Sequence, residues 1–139
     1  MMKKVIFICR GNMHRSPTAA ALYNVLKKDD SFAESYGTMV DVEGRTGTKL
    51  SSYQEFATLI NYLKNHYGAD ISNHVCTQVT PKLLEGANKI IVMAEEDYIP
   101  DWLRKYNYEH WDIIDDFSTL EILVEDVKSI KSKVETLFS

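Results

Sequence analysis

Cys9 and Arg15 stand at the two ends of a short polar stretch, Cys9-Arg10-Gly11-Asn12-Met13-His14-Arg15, with Ser16 and Pro17 directly behind it. A thiolate is a strong nucleophile, and a guanidinium is the cation whose planar fork can hold two phosphoryl oxygens at once. The pairing suits attack on phosphorus with the transferred group clamped beside the sulfur. The spacing alone is common, and by itself Cys9 reads better as a small buried hydrophobe at a strand end. The surrounding elements separate the two readings.

Lys4 to Cys9 (KVIFIC) is an unbroken apolar run with β-branched and aromatic residues, the pattern of a strand covered on both faces. Gly11 and Asn12 suit a loop with unusual backbone angles, and Ser16-Pro17 reads as a helix N-cap and first helical residue. The Ala- and Leu-rich stretch 18–28 then completes a unit of strand, polar loop and helix. In parallel α/β sheets, ligands gather outside the carboxyl ends of strands, where loop N–H groups and the positive end of the next helix converge. An anion is expected at that point. Helix end and Arg15 both favour a thiolate at Cys9, and the Ser16 hydroxyl is placed to donate a hydrogen bond to it.

Further strands are expected over 32–38, 89–94 and 110–115, and a glycine-containing loop over 39–49. Helical periodicity covers 51–67, closed by Gly68, with a short helix from Thr80-Pro81 to Leu84 and another over 95–106 interrupted at Pro100. Leu120, Leu123, Val127, Ile130 and Val134 form a last helical stripe. Buried strands alternating with helices indicate a parallel α/β sheet. One domain over residues 1–139 is expected.

The bulk properties narrow the partners. With 139 residues, 45% hydrophobic and 26% charged, the chain has the composition of a soluble globular protein. A formal net charge of −4 argues against broad nucleic-acid binding, which needs accumulated basic surface. No apolar run approaches the ~20 residues of a membrane span, and the run ending at Cys9 is too short for the ~7–15 residue core of a secretory signal. A cytoplasmic monomer is expected, without nucleic-acid or membrane partners. Its two cysteines, Cys9 and Cys76, should be reduced, Cys76 as a packing residue.

At the Cys9–Pro17 stretch the chain resembles the low-molecular-weight protein tyrosine phosphatases, whose loop reads Cys-x-Gly-Asn-x-Cys-Arg-Ser-Pro. The similarity continues in order along the chain. Ser35-Tyr36-Gly37-Thr38 looks like the family's Ser-Ala-Gly-Thr, and Ile71-Ser72-Asn73-His74 with Gln78 looks like its Ser-x-His segment. KIIVMA with Glu95 looks like its next strand, and Asp115-Asp116-Phe117 falls where it has Asp-Pro-aromatic.

The resemblance implies a four-stranded parallel sheet with helices on both faces, and two-step chemistry without metal or cofactor. Cys9 would form a phosphocysteine while an aspartic acid protonates the leaving oxygen; the same carboxylate would then activate water. Residues 10–16 (Arg10, Gly11, Asn12, Met13, His14, Arg15, Ser16) would cradle the phosphoryl group. Asn12, Ser16, Ser35 and His74 would support the loop, and Phe117 would wall the substrate. The implied substrate is a phosphorylated protein or a small phosphomonoester.

Two departures matter. His14 stands where the family usually has a second cysteine, which can pair reversibly with the nucleophile. Without it, peroxide should drive Cys9 to irreversible oxides, and inactivation should be poorly reversed by thiols. Full recovery with dithiothreitol would refute this, unless Cys76 is within reach of Cys9 to form the disulfide. Secondly, an acid replaces the proline after the catalytic aspartate, so Asp115 and Asp116 both remain candidate acids. Asp115 keeps Phe117 in register; alternatively the two acids simply cap the following helix.

Three other functions stay open: a phosphate-binding module without turnover, a phosphatase acting on phosphoarginine or a small metabolite, and an arsenate reductase. The last requires two relay cysteines beyond the nucleophile, and this chain has only Cys76.

Overall fold

The computed structural model describes residues 3–138. The elements run β1 (Lys4–Cys9), α1 (Arg15–Leu26), β2 (Phe32–Gly37), α2 (Ala57–Tyr67), β3 (Lys89–Val92), α3 (Asp101–Arg104), β4 (Glu109–His110) and α4 (Leu120–Glu135), with 3-10 turns between them. The four strands are parallel and ordered β2-β1-β3-β4. The chain winds from β1 to β2 on one side, then crosses to β3 on the other. Cys9 therefore ends the strand at which the winding reverses, the place where open α/β sheets form a ligand crevice.

The apolar run of β1 is explained by cover on both faces: Ile6, Phe7 and Ile8 are fully buried. Val5, Phe7 and Cys9 point into a core shared with Leu22 of α1, Leu59 and Leu63 of α2, and Val127 and Ile130 of α4. Ile6 and Ile8 point the other way, against Leu84, Val92, Ile99 and Leu103. Helices thus lie on both faces, but the second layer is thin, made of α3 and 3-10 turns.

Several local expectations are corrected. Helix α1 begins at Arg15, with His14 at its N-cap position and no side-chain cap. Ser16 is not the cap, because its hydroxyl is engaged beneath the loop. Pro17 consequently sits in the first turn, where its missing N–H has no intrahelical partner to lose. The expected helix over 51–67 is two 3-10 turns followed by α2, divided by the extended backbone of Tyr53. Gly68, at φ 68°, ends α2 as expected, its amide reaching the Leu63 and Lys64 carbonyls.

The helix expected over 95–106 is a 3-10 turn and the single turn of α3, split where Ile99 is held extended before Pro100. The strand expected over 110–115 pairs only at Glu109–His110. Alternation persists beyond it, with Trp111 and Ile113 buried and Ile114 exposed. That alternation marks extended backbone, which need not be hydrogen-bonded into a ladder.

Gly37 closes β2 directly under the loop. A Cβ there would lie 2.6 Å from Val40 Cγ2, 2.8 Å from the Arg10 carbonyl oxygen and 2.9 Å from Asn12 Cβ. Gly37→Ala is expected to cost about 1–3 kcal/mol of stability and to weaken phosphate binding, as read by denaturant unfolding and product inhibition. An alanine variant matching the parent in both would show that the loop yields freely.

Candidate active site

The loop from Cys9 to Arg15 is held from below by a polar network. Asn12 adopts a left-handed conformation, φ 56°, which its short polar side chain tolerates. Gly11, the other residue expected to take unusual angles, does not have a positive φ. In this conformation the Asn12 backbone N–H donates to Cys9 Sγ at 3.3 Å. Its side-chain Nδ2 donates to Ser16 Oγ at 2.9 Å and Ser35 Oγ at 3.1 Å, while its Oδ1 accepts from the Thr77 amide at 2.9 Å. His74 Nε2 lies 2.8 Å from the Asn12 carbonyl. Burial holds the His74 pKa below its ordinary value, against the pull of that carbonyl, so the neutral ring donates through Nε2. Asn12, Ser16, Ser35 and His74 are thus brought together as one buried or half-buried cluster.

Ser16 Oγ is 3.1 Å from Cys9 Sγ and 3.3 Å from the Tyr36 carbonyl. A thiolate at Cys9 and the Tyr36 carbonyl can both only accept, so the one hydroxyl proton of Ser16 serves these two acceptors in turn. This second use of Ser16 is why it does not cap α1.

Arg15 is almost wholly buried, with 2% of its surface exposed. Its Nη1 donates to the Met93 carbonyl at 2.7 Å, to Glu95 Oε1 at 2.6 Å and to the Ile113 carbonyl at 3.4 Å. Burial alone would lower its pKa, but negative charge at Cys9, Asp115 and Glu95 leaves it raised. Glu95 responds in kind: burial opposes its charge, yet Arg15 holds its pKa below the usual carboxylate range. Nε of Arg15 is buried with no hydrogen-bond partner, and Nη2 has only Asp115 Oδ2 at 3.6 Å. The guanidinium is therefore anchored through one nitrogen, leaving the edge that makes two parallel bonds to a phosphate.

A cavity of about 230 Å³ has Cys9, Arg15, Asp115, Phe117, Phe56 and Glu55 among its lining residues. The Phe56 and Phe117 rings lie 4.8 Å apart. Arg10, Gly11, Met13 and His14 reach the same cavity. Arg10 is tied to Glu43 at 3.2 Å and lies over the Tyr98 ring at 4.0 Å, so its charge is partly spent. Met13 contacts the Arg45 guanidinium.

The two aspartates part company. Asp115 lines the cavity, whereas Asp116 lines a separate groove with Ile114 and Ile122. Asp116 Oδ1 accepts from the Ser118 amide at 2.9 Å, and Ser118 holds its pKa below the ordinary value. Neither acid caps α4; Thr119 does, accepting from the Ile122 amide. Among the described residues, no group of three or more His, Cys, Asp or Glu side chains is placed to hold a metal ion. None of their helices is long and apolar enough to cross a membrane.

Sequence reading did not assign roles to Glu95, Phe56, Thr77 or Asp126. Asp126 carried a legible signal, an acid set within the apolar stripe of Leu123, Val127 and Ile130. It is 7% exposed, and its Oδ2 lies 2.6 Å from His14 Nε2. Glu95 also had one, as an acid just past the strand beside β1. A larger cavity, about 900 Å³, opens at the other end of the sheet by Lys3, Lys89 and Phe138, away from all of these groups.

No family model matches the chain. The human low molecular weight phosphotyrosine protein phosphatase is 28% identical over 137 residues, spanning 99% of this chain and 72% of that protein. A probable low molecular weight protein-tyrosine-phosphatase of Ralstonia nicotianae is 31% identical over 93 residues, 67% of this chain and 57% of the relative. Among solved structures, a low molecular weight protein tyrosine phosphatase from T. tengcongensis superposes with a TM-score of 0.78 at 24% identity, covering 97% of each chain.

Proposed function

We propose that the chain is a phosphatase of the low-molecular-weight protein tyrosine phosphatase family, to whose members it is similar in sequence, and that it hydrolyses phosphomonoesters through a phosphocysteine on Cys9. The observation that carries the reading is the juxtaposition of Cys9 with a buried Arg15 whose Nε–Nη2 edge is left for an anion.

Cys9 Sγ attacks phosphorus in line as the bond to the ester oxygen breaks. Asp115 gives its proton to that oxygen, and Arg15 holds two equatorial oxygens. Water then attacks the phosphocysteine, losing its proton to the Asp115 carboxylate, and the S–P bond breaks to return the thiolate and release phosphate. One carboxyl group serves as acid and then as base. Charge on the equatorial oxygens is met by positioned donors, the largest contribution in phosphoryl transfer. No step requires a metal.

The paired rings of Phe56 and Phe117 favour a flat aryl ester, so phosphotyrosine in a protein is the proposed substrate. The test is hydrolysis of p-nitrophenyl phosphate in the presence of a chelator, followed by phosphotyrosine and phosphoarginine side by side. Vanadate-sensitive turnover with preference for the aryl ester is expected. Phosphate binding without turnover would make the protein a binding module, and a preference for phosphoarginine would overturn the substrate assignment.

A further inference from the structure

His14 and Asp126 form a buried pair that the chemistry above does not use. They are 3% and 7% exposed, and Nε2 to Oδ2 is 2.6 Å. Asp126 belongs to α4 and His14 immediately precedes α1, so the contact ties the C-terminal helix to the end of the phosphate loop. On its other side, the His14 ring lies 5.2 Å from the ring of Phe117, which in turn packs on Phe56.

This placement bears on Asp115. Residues 111–117 lie in neither helix nor strand. The span is fixed at one end by the Trp111 amide on the Val92 carbonyl and by Arg15 on the Ile113 carbonyl. At the other end it is fixed by Phe117, wedged against His14 and Phe56. Asp115 lies between these anchors with its carboxylate half-exposed, so its position depends on both.

We propose that the His14–Asp126 pair is a positioning device for the general acid. By fixing the His14 ring against Phe117, Asp126 holds the span that presents Asp115 to the cavity. The proposal rests on Asp115 being the acid of a phosphatase. Neither His14 nor Asp126 is given a direct role in proton transfer; both are positioning residues.

General-acid catalysis matters more as the leaving oxygen becomes more basic, which separates positioning of the acid from support of the fold. The experiment compares kcat/KM for p-nitrophenyl phosphate and phenyl phosphate, with phosphate inhibition and thermal melting alongside. Asp126→Ala, which releases the ring, is expected to lose about tenfold more on phenyl phosphate than on p-nitrophenyl phosphate, with phosphate inhibition unchanged. His14→Gln removes the ring but keeps an amide donor for Asp126, so no buried carboxylate is stranded; the same selective loss is expected. Asp126→Asn retains an acceptor for Nε2 and should stay near the parent on both esters.

Equal losses on the two esters, weakened phosphate inhibition in step with the loss, or no loss at all would overturn the proposal while leaving the phosphatase reading intact. A parent protein that turns over neither ester would overturn both.

Discussion

Replacing Cys9 with serine is expected to reduce p-nitrophenyl phosphate turnover by about 10⁴-fold or more while leaving phosphate binding measurable. A serine hydroxyl is a far weaker acid than a thiol, and the one imidazole of the loop, His14, is turned to Asp126 rather than to position 9. The groups that hold the anion are untouched, because Arg15 is anchored to Met93, Glu95 and Ile113 rather than to the sulfur. The Ser16 and Asn12 contacts around position 9 also survive, since a hydroxyl accepts both. Steady-state kinetics and phosphate titration of the variant together check this. Retained turnover would remove Cys9 from the chemistry, and lost binding with lost turnover would mean that the sulfur shapes the loop rather than reacting.

The second large effect separates the aspartates. Asp115→Asn should lower kcat/KM on phenyl phosphate by about 10²–10⁴-fold, the usual contribution of a positioned general acid. Asp116→Asn should leave it nearly unchanged. The sign follows from the environments. A general acid must carry its proton at the working pH, and the Ser118 hydrogen bonds depress the Asp116 pKa, keeping that group a carboxylate to lower pH than an ordinary aspartate. Asp116 also lies outside the cavity that Asp115 lines. The reverse pattern would exchange their roles.

The parallel α/β architecture was legible because β1 and β3 are buried on both faces and so lack polar interruptions. The loop was legible for a related reason: each of Cys9, Asn12, Arg15 and Ser16 meets a local demand that few residue types satisfy. Ser35 and His74 depended on resemblance, since nothing in their own neighbourhoods distinguishes them from surface polar residues. What failed was reading pairing from pattern. The residues 110–115 predict a strand, but a ladder requires a partner, and only Glu109–His110 pairs at this edge of the sheet. The sequence predicts two uses of Ser16, a cap and a hydrogen bond to Cys9; the hydroxyl is engaged with Cys9 and Tyr36, and the cap is lost to it. The segregation of Asp115 from Asp116 follows from extended backbone, in which adjacent residues face opposite sides; which of the two meets the cavity rested on the register with Phe117.

The anchoring of Arg15 has an evolutionary consequence. Its Nη1 gathers carbonyls from the segments that follow β3 and β4, while its backbone opens the helix after β1. A lineage could discard Cys9 and persist as a phosphate-trapping decoy, because the cradle would outlive its nucleophile. Discarding Arg15 offers no such route. The mutation would take away the guanidinium and, in the same event, the hydrogen bonds that tie together the segments following β3 and β4.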